Sequence, residues 1–153
     1  MSPLTDKIEY SDDSPTCACK VSLDYLGDKW ILIIIRDLFR QRFTFTHFLK
    51  ESKEKIATNI LSDRLKKLRK LELINFRLNE NNKKIKEYYL TNRGVELYDI
   101  IFQLQLWSVN NVNFTFSENT KKWVDLTNKI SKEEVIRRNK EKYREFRKKM
   151  FGF

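Results

Sequence analysis

The feature that most constrains the fold of this chain is a change of hydrophobic period between residues 58 and 90. Leu61, Leu65 and Leu68 recur at i, i+4 and i+7, which predicts an amphipathic helix over about 58–71. From Ile74 onward apolar and polar residues alternate, and the turn-forming stretch NENNKK separates this run from a second strand-like run at 85–90. The pattern therefore predicts a helix followed directly by a β-hairpin.

Two further helices are predicted before this helix and hairpin. The segment 21–39 has apolar residues at helical spacing and predicts a largely buried helix, interrupted or capped near Gly27, although its β-branched run at 31–35 would also suit a strand. Residues 45–51 predict a short amphipathic helix, and a polar turn follows. Short helices joined by a tight turn and followed by a basic hairpin predict a winged helix-turn-helix, so the fold class is mainly α with a small β-hairpin (α+β).

A long helix is predicted after the hairpin, and a basic helical extension after that helix. Thr91 is suited to cap the long helix, whose apolar residues extend to Trp107. Between residues 136 and 153 apolar side chains recur at alternating spacings of three and four, flanked by Lys and Arg. This stripe predicts packing against its own domain or a partner subunit, or a second contact with the DNA backbone.

The positive charge of the chain is concentrated in two segments. The 153 residues include 31 Lys and Arg against 21 Asp and Glu, for a formal net charge of +10. Residues 36–93 hold sixteen basic and seven acidic side chains, residues 132–153 hold nine and four, and residues 1–16 hold one and four. A clustered positive field on a folded body favours a polyanion such as nucleic acid, although a lysine-rich surface can also simply keep a protein soluble.

Composition and spacing exclude several other classes of protein. No apolar run approaches the ~18 residues of a membrane span, and the N-terminal segment is acidic rather than signal-like. Three glycines leave little material for a nucleotide-binding Rossmann unit. Cys17 and Cys19 are too close for an ordinary structural disulfide, which indicates a reducing, cytoplasmic compartment. His47 is the single histidine and has no catalytic or metal-binding partner set, so we expect no enzyme activity, no cofactor and no metal, and interpret it as a surface helix residue.

The outward face of the 58–71 helix and the turn at 79–86 carry the side chains expected to contact DNA. Asn59 suits adenine, Lys66 suits guanine or phosphate, and Asp63 suits cytosine or a salt bridge with a neighbour. Arg64 lies between the core face and the outer face and suits either a phosphate contact or pairing with an acid. The predicted DNA-binding residues are Thr58, Asn59, Ser62, Asp63, Arg64, Lys66, Lys67, Lys70, Lys83, Lys84 and Lys86. The alternative is a solvated helix face.

In their order and spacing, these segments resemble the HxlR-type transcriptional regulators, a family within the MarR-like winged-helix group. The resemblance covers roughly residues 17–107. It rests on LDYLGDKW at 23–30, FTHF at 45–48, ILSDRLKKLRKLELI at 60–74, EYYLTNRG at 87–94, and Trp107 at the end of the long helix. Glu72 stands where the family usually has glycine.

The resemblance implies a homodimer that binds a pseudo-palindromic operator in double-stranded DNA, most often as a repressor. It places the long helix and the N-terminal segment at the interface, and we predict Leu97, Ile101, Leu104 and Trp107 as dimerisation residues. The predicted domains are an acidic arm at 1–16, a winged helix-turn-helix domain including the dimerisation helix at 17–112, and a basic helical extension at 113–153.

The resemblance also implies a role for Cys17, because some relatives sense electrophiles or oxidants through an N-terminal cysteine. Lys20 could supply a positive charge that stabilises the thiolate of Cys17. The alternative is a buried, unreactive thiol. For the whole chain, the alternative to a sequence-specific regulator is an architectural or protein-interaction winged-helix module that binds DNA without sequence preference.

Overall fold

The computed structural model describes residues 6–153 of a chain that divides into two compact units, Met1–Val95 and Glu96–Phe153. The first five residues of the predicted acidic arm lie outside the described part. The long helix that follows the hairpin therefore belongs to the same unit as the C-terminal extension. The sequence analysis had placed the boundary after residue 112 and assigned that helix to the winged helix-turn-helix domain. Within residues 6–153, no helix is both long enough and apolar enough to cross a membrane.

The first unit consists, over its described residues, of five helices and one antiparallel hairpin. Their bounds are α1 (Ala18–Leu26), α2 (Lys29–Phe39), α3 (Phe45–Lys50), α4 (Thr58–Lys70), β1 (Ile74–Leu78), β2 (Lys86–Leu90) and α5 (Asn92–Val95). Ile74 lies opposite Leu90, and Leu78 lies opposite Lys86. This order of elements confirms the predicted winged helix-turn-helix and its mainly helical fold class.

The helix predicted over 21–39 is interrupted near Gly27, as predicted: Gly27 ends α1, which contains no buried residue, and Asp28 starts α2. The Asp28 carboxylate accepts a hydrogen bond from the backbone N–H of Trp30 at 2.8 Å and thereby caps α2. The β-branched run at 31–35 is helical rather than extended, since three of its isoleucines are then buried in the core. Burial of one helical face therefore outweighs the β-propensity of the run.

A charge cluster fixes the turn between α3 and α4. Asp37 is 1% exposed and accepts hydrogen bonds from Arg36 at 2.8 Å and Arg42 at 3.0 Å. Arg36 also donates to both carboxylate oxygens of Glu54, and the buried Ser52 hydroxyl donates to Glu54 at 2.6 Å. The Arg36 hydrogen bonds are the main reason that the pKa of Glu54 lies well below its ordinary range. The end of α2 therefore holds the turn that leads into α4.

The hairpin is joined to the segment that precedes α3. The backbone N–H of Tyr88 donates to the carbonyl of Phe43 at 2.7 Å, and Thr44 forms an isolated bridge with Glu87. His47 was predicted as a surface residue, but it is half-buried: its Nδ1 accepts from the backbone N–H groups of Phe43 and Thr44, and the Thr44 hydroxyl accepts from the N–H of His47. This reciprocal capping box makes the histidine structural.

The second unit consists of three helices, α6 (Tyr98–Asn111), α7 (Glu118–Lys129) and α8 (Lys132–Phe151). Ser117 and Ser131 cap α7 and α8, each through a hydroxyl that accepts a backbone N–H three residues later. Phe102, Trp123 and Tyr143 are buried, one from each helix. The extension after residue 113 is therefore helical, as predicted, and Tyr143 of the predicted stripe lies in the core of this unit.

Candidate nucleic-acid interface

The outward face of α4 carries the polar side chains predicted to contact DNA. Leu61, Leu65 and Leu68 are at most 3% exposed, so the opposite side of the helix faces solvent. Helix α4 begins after Ala57, which offers no side-chain cap. Of the predicted residues, the exposed ones are Thr58, Asn59, Asp63, Lys66 and Lys70, and the half-buried ones are Ser62, Arg64 and Lys67.

Arg64 is held by two carboxylates of its own unit. Its Nε donates to Asp28, the cap of α2, and its Nη1 donates to Asp63 at 2.7 Å. The hydrogen bond to Asp28 is the main cause of the raised pKa of the Arg64 guanidinium. Burial opposes ionisation of Asp28, but the Trp30 N–H and Arg64 outweigh it and lower the pKa of this carboxyl. The sequence left two roles open for Arg64, a contact with a phosphate or an ion pair with an acid. In this structure Arg64 pairs with acids.

The wing, which is the hairpin formed by β1, β2 and the turn at 79–85, presents exposed lysines. Asn79 closes its turn by accepting two backbone N–H groups of the turn at 2.9 and 3.0 Å. At the base of the wing, Glu87 is 5% exposed and accepts hydrogen bonds from Arg77 at 3.0 Å and from the Asn79 amide at 3.3 Å. All three predicted wing lysines are exposed, namely Lys83, Lys84 and Lys86.

Arg69 belongs to this surface, although the sequence analysis did not select it. It is exposed in the last turn of α4, and its guanidinium lies 4.3 Å from the ring centre of Phe76 on β1. The ammonium of Lys86 on β2 lies 4.7 Å from the same ring centre. Phe76 therefore orients one cation from the helix and one from the wing. The signal that could have found Arg69 is its spacing from Ser62 and Lys66, which is i, i+4 and i+7.

A groove of about 680 Å³ lies between the start of α3, helix α4 and the wing. Ser62, Lys66 and Arg69 line it from α4, and Lys84 and Lys86 line it from the wing. The structure thus places four of the predicted residues around a single depression: the half-buried Ser62, the exposed Lys66, and the wing lysines Lys84 and Lys86. The other predicted residues of α4 do not line this groove.

The basic residues of the 36–93 segment differ in their partners. Five arginines form ion pairs with carboxylates in the first unit: Arg36, Arg42, Arg64, Arg77 and Arg93. By contrast, within residues 6–153 no carboxylate lies at ion-pair distance from Lys66, Arg69, Lys70, Lys83, Lys84 or Lys86. These six cations lie on α4 and the wing, and they outnumber the cations of the same segment that also lack an ion pair but lie outside both, namely Arg40, Lys50, Lys53 and Lys55.

The predicted dimerisation residues of α6 fall into two pairs. Leu97 and Ile101 are 8% and 6% exposed and belong to the core of the second unit. Leu104 and Trp107 are 50% and 63% exposed and line an open apolar depression of α6 together with Ile100. Leu104 and Trp107 are therefore the two predicted residues that present apolar surface to solvent.

Cys17 is exposed, which overturns the alternative of a buried thiol. It stands at the N-cap of α1, and the backbone N–H groups of Lys20 and then Cys19 lower the pKa of its thiol. The Lys20 ammonium is engaged elsewhere, because it pairs with Asp24 at 2.7 Å and donates to the Tyr10 hydroxyl at 3.0 Å. Its backbone rather than its charge therefore accounts for the lowered pKa. In the described part of the chain, no three His, Cys, Asp or Glu side chains are grouped as metal ligands.

Solved structures of the same fold include the following three relatives. PA1607, classed as a transcription factor, is 27% identical over 69% of this chain and 72% of that chain, with a TM-score of 0.60. The reduced form of the transcriptional regulator YodB from B. subtilis is 25% identical over 61% and 92%, with a TM-score of 0.51. A MarR-family protein from Porphyromonas gingivalis W83, at 24% identity over 69% and 100% and a TM-score of 0.57, shares the fold. The comparison with curated proteins gave no match.

The family comparison covers the elements on which the interface is built. The HxlR-like helix-turn-helix family matches residues 25–116, which run from the end of α1 through the wing and α6. The predicted resemblance is therefore confirmed, and the family is one of transcription factors rather than of enzymes. On this match, and on the helix-turn-helix and wing described above, the chain belongs to the HxlR-like helix-turn-helix family.

Proposed function

We propose that this protein is a dimeric, sequence-specific DNA-binding regulator, acting in the cytoplasm as a repressor, with α4 in the major groove and the wing on the DNA backbone. The observation that carries the proposal is the set of uncompensated cations on α4 and the wing, next to the polar side chains of the same helix face. Polar groups that reach base edges supply sequence choice, while lysines on flexible stems neutralise phosphates. A pseudo-palindromic operator would match the two-fold symmetry of a dimer.

A mobility-shift assay on the DNA upstream of the protein's own gene tests this proposal. We expect binding that survives a large excess of unrelated duplex and weakens steeply with salt, because each neutralised phosphate releases counterions. Equal affinity for any duplex would refute the sequence-specific regulator and favour the architectural module instead.

Three substitutions test the assignment of roles within the interface. Asn59→Ala and Lys66→Ala should reduce the ratio of specific to non-specific affinity, since both side chains are exposed on the outward face of α4. Lys84→Ala should weaken binding equally for all sequences and lower the salt slope by about one. Unchanged affinity in all three variants would contradict this docking geometry.

For the dimer, the exposed apolar surface of α6 supports Leu104 and Trp107 as interface residues. An exposed apolar patch on a helix is typical of a surface that binds another protein chain. Sedimentation equilibrium is the measurement: Trp107→Ser should shift the chain from dimer toward monomer. Leu78→Ser, an exposed apolar residue on β1 outside the segments expected at the interface, serves as the comparison. A dimer of unchanged affinity in Trp107→Ser would rule out this surface.

For sensing, the exposure and the lowered pKa of Cys17 support reaction with electrophiles or oxidants. We expect a quinone or diamide to release the protein from its operator, and Cys17→Ser to abolish this release. Cys19→Ser controls for the second exposed thiol. Release that persists in Cys17→Ser would exclude Cys17 as the sensor, without affecting the DNA-binding proposal.

A further inference from the structure

Three lysines toward the end of α8 form a positive surface that the proposed function does not use. Lys142, Lys148 and Lys149 are exposed, and within residues 6–153 no carboxylate lies at ion-pair distance from any of them. Lys142 and Lys149 are seven residues apart, so they lie on the same side of the helix, about 10 Å apart along its axis. Lys148 lies about 100° around the helix from Lys149, still on the side that faces solvent. These three residues are called the α8 lysine face below.

The other cations of α8 are engaged within the second unit. Each of them meets a carboxylate, an aromatic ring or a carbonyl, namely Lys132, Arg137, Arg138, Lys140, Arg144 and Arg147. The helix dipole stabilises cations in the last turn, which accounts for Lys148 and Lys149. It does not account for Lys142, which lies about two and a half turns before the end of α8. The charge of the α8 lysine face is therefore available to a partner outside the chain.

The apolar side of α8 is not available to such a partner. Val135 and Tyr143 are 0% and 1% exposed in the core of the second unit. A basic helix that binds a membrane surface inserts its apolar face among the lipids, and a helix that binds a protein groove places the same face in that groove. Because this face is already buried, α8 offers a partner mainly charge. Charge alone suits a polyanion with closely spaced phosphates.

The end of α8 is fixed by contacts, which keeps the lysines in a constant pattern. Gly152 has φ 90°, a left-handed conformation that ends the helix, and its N–H donates to the carbonyl of Lys148 at 2.9 Å. The buried Arg147 donates from Nε to the carbonyl of Phe153 at 3.3 Å. A preformed surface loses less conformational entropy when it binds, which favours association through a few charge contacts.

We propose that the α8 lysine face is a second binding surface for duplex DNA, which contacts phosphates and reads no bases. Lysine ammonium groups act as point charges on flexible stems, so they neutralise phosphates without selecting a sequence. Helix α8 lies outside residues 25–116, so the family match does not account for this surface. The inference is argued from the second unit alone, and it rests on the proposed function only in choosing DNA as the polyanion.

A triple variant of the full chain tests this surface. It removes all three charges of the α8 lysine face and keeps long side chains of good helix propensity: Lys142→Gln, Lys148→Gln and Lys149→Gln. The matched control removes the same charge from three exposed lysines of α7: Lys121→Gln, Lys122→Gln and Lys129→Gln. Far-UV circular dichroism verifies that both variants are folded.

Fluorescence anisotropy at several salt concentrations is the measurement, on the operator duplex and on an unrelated duplex of equal length. The α8 variant should bind both duplexes about tenfold more weakly at low salt, with an unchanged ratio of specific to non-specific affinity. Its salt slope should fall by about three for each bound protomer, because each lost phosphate contact releases about one counterion fewer. The α7 control should lose less, since charges farther than about 10 Å from the DNA are screened by salt.

The outcomes separate this inference from the proposed function. Equal losses in the α7 and α8 variants would reduce the effect to net charge and overturn the α8 surface. An unchanged salt slope in the α8 variant, with Lys84→Ala still lowering it, would also overturn the α8 surface and leave the proposed function intact. Duplex binding without sequence preference that weakens in the α8 variant would support the surface and refute the sequence-specific regulator. Weaker binding to phosphatidylserine vesicles in the α8 variant, with duplex binding unchanged, would overturn the proposal in favour of a membrane surface.

Discussion

Asp28 has two structural roles that two substitutions can separate. Its carboxylate caps α2 through the Trp30 N–H, and it pairs with Arg64 on α4. Asp28→Asn keeps an oxygen for the cap, because asparagine and aspartate are comparable N-cap residues, but it removes the charge. Asp28→Ala removes both interactions. The difference between the two variants therefore measures the cap, and the difference between Asp28→Asn and wild type measures the ion pair.

The magnitudes follow from the exposure of the groups. Loss of an N-cap to alanine costs about 0.5–2 kcal/mol, typically ~1 kcal/mol. The Asp28 and Arg64 side chains are 23% and 26% exposed, so solvent screens their attraction and we expect the pair to contribute about 0.5 kcal/mol. The free energy of unfolding should therefore fall by about 0.5 kcal/mol in Asp28→Asn and about 1.5 kcal/mol in Asp28→Ala. At a urea m-value of roughly 1–3 kcal/mol per molar, the second loss lowers the midpoint by about 0.5–1.5 M.

Urea titrations followed by far-UV circular dichroism at neutral and acidic pH are the assay. Because the pKa of Asp28 lies below its ordinary value of 3.8, the ion pair stabilises the fold at neutral pH and is lost as the pH falls below that value through the folded pKa. The gap between wild type and Asp28→Asn should therefore close on acidification. Asp63→Asn removes a 68% exposed partner of the same arginine and should have little effect. Equal losses in the two Asp28 variants would refute the cap, and a gap that persists at acidic pH would refute the ion pair.

Three further predictions concern backbone conformation and burial. Glu72→Gly should raise the free energy of unfolding by about 1 kcal/mol in urea titrations, because Glu72 has φ 57°, a left-handed conformation that is costly for any residue with a Cβ, and its exposed pair with Arg93 contributes less. Gly94→Ala should lower the free energy of unfolding by more than ~2 kcal/mol in the same titration, since a Cβ there would collide with the backbone carbonyl of Leu73. Burial raises the pKa of Tyr98 from 10.0 to about 12, so stability should decline as the pH rises between these values, and a phenolate absorbance titration should show a late step.

Matched variants control each of these outcomes. Glu72→Ala keeps the left-handed conformation and loses the same ion pair, so any stabilisation in that variant would contradict the backbone argument. Gly152→Ala adds a Cβ that meets nothing within 4 Å at a φ of 90°, and should cost less than Gly94→Ala. Equal losses at the two glycines would contradict the collision at Leu73. Burial also raises the pKa of Tyr88, so the late step should lose amplitude rather than vanish in Tyr98→Phe, and an unchanged amplitude would contradict the assignment to Tyr98.

Helix α4 was predictable because it has a single hydrophobic period and one buried face. The hairpin was predictable from alternating residues on either side of a turn-forming stretch, although burial of both Glu87 and Tyr88 does not follow from alternation. The break between α1 and α2 was predicted near Gly27, where α1 ends, but apolar spacing through residues 21–39 did not show that the side chain of Asp28 starts the second helix. The β-branched run at 31–35 was ambiguous for a related reason. Its β-propensity is local, whereas its burial depends on elements distant in sequence. His47 was misinterpreted because capping by a histidine at the third helical position has no distinctive sequence pattern.

The sequence predicted which side of α4 faces solvent, but not which residues the arginines of α4 contact. Helical spacing places Asn59, Lys66 and Lys70 on the outward side of α4, and the structure agrees. Spacing cannot show that Arg64 meets Asp28, because the two are 36 residues apart in sequence. It also does not show that Arg69 stacks on Phe76 of the hairpin. Contacts of this kind depend on the packing of α4 against other elements.

These partners change how the net charge of +10 relates to DNA binding. Five arginines of the central segment pair with carboxylates in the first unit, so their charges are largely compensated where they lie. Lysine is the main carrier of the remaining field, which suits phosphate neutralisation more than bidentate base recognition. Arg40 and Arg69 form no such pair, and of the two only Arg69 lies on α4, where an aromatic ring rather than a carboxylate holds it. Arg69 is therefore the arginine of α4 whose planar donors remain available to a phosphate of DNA.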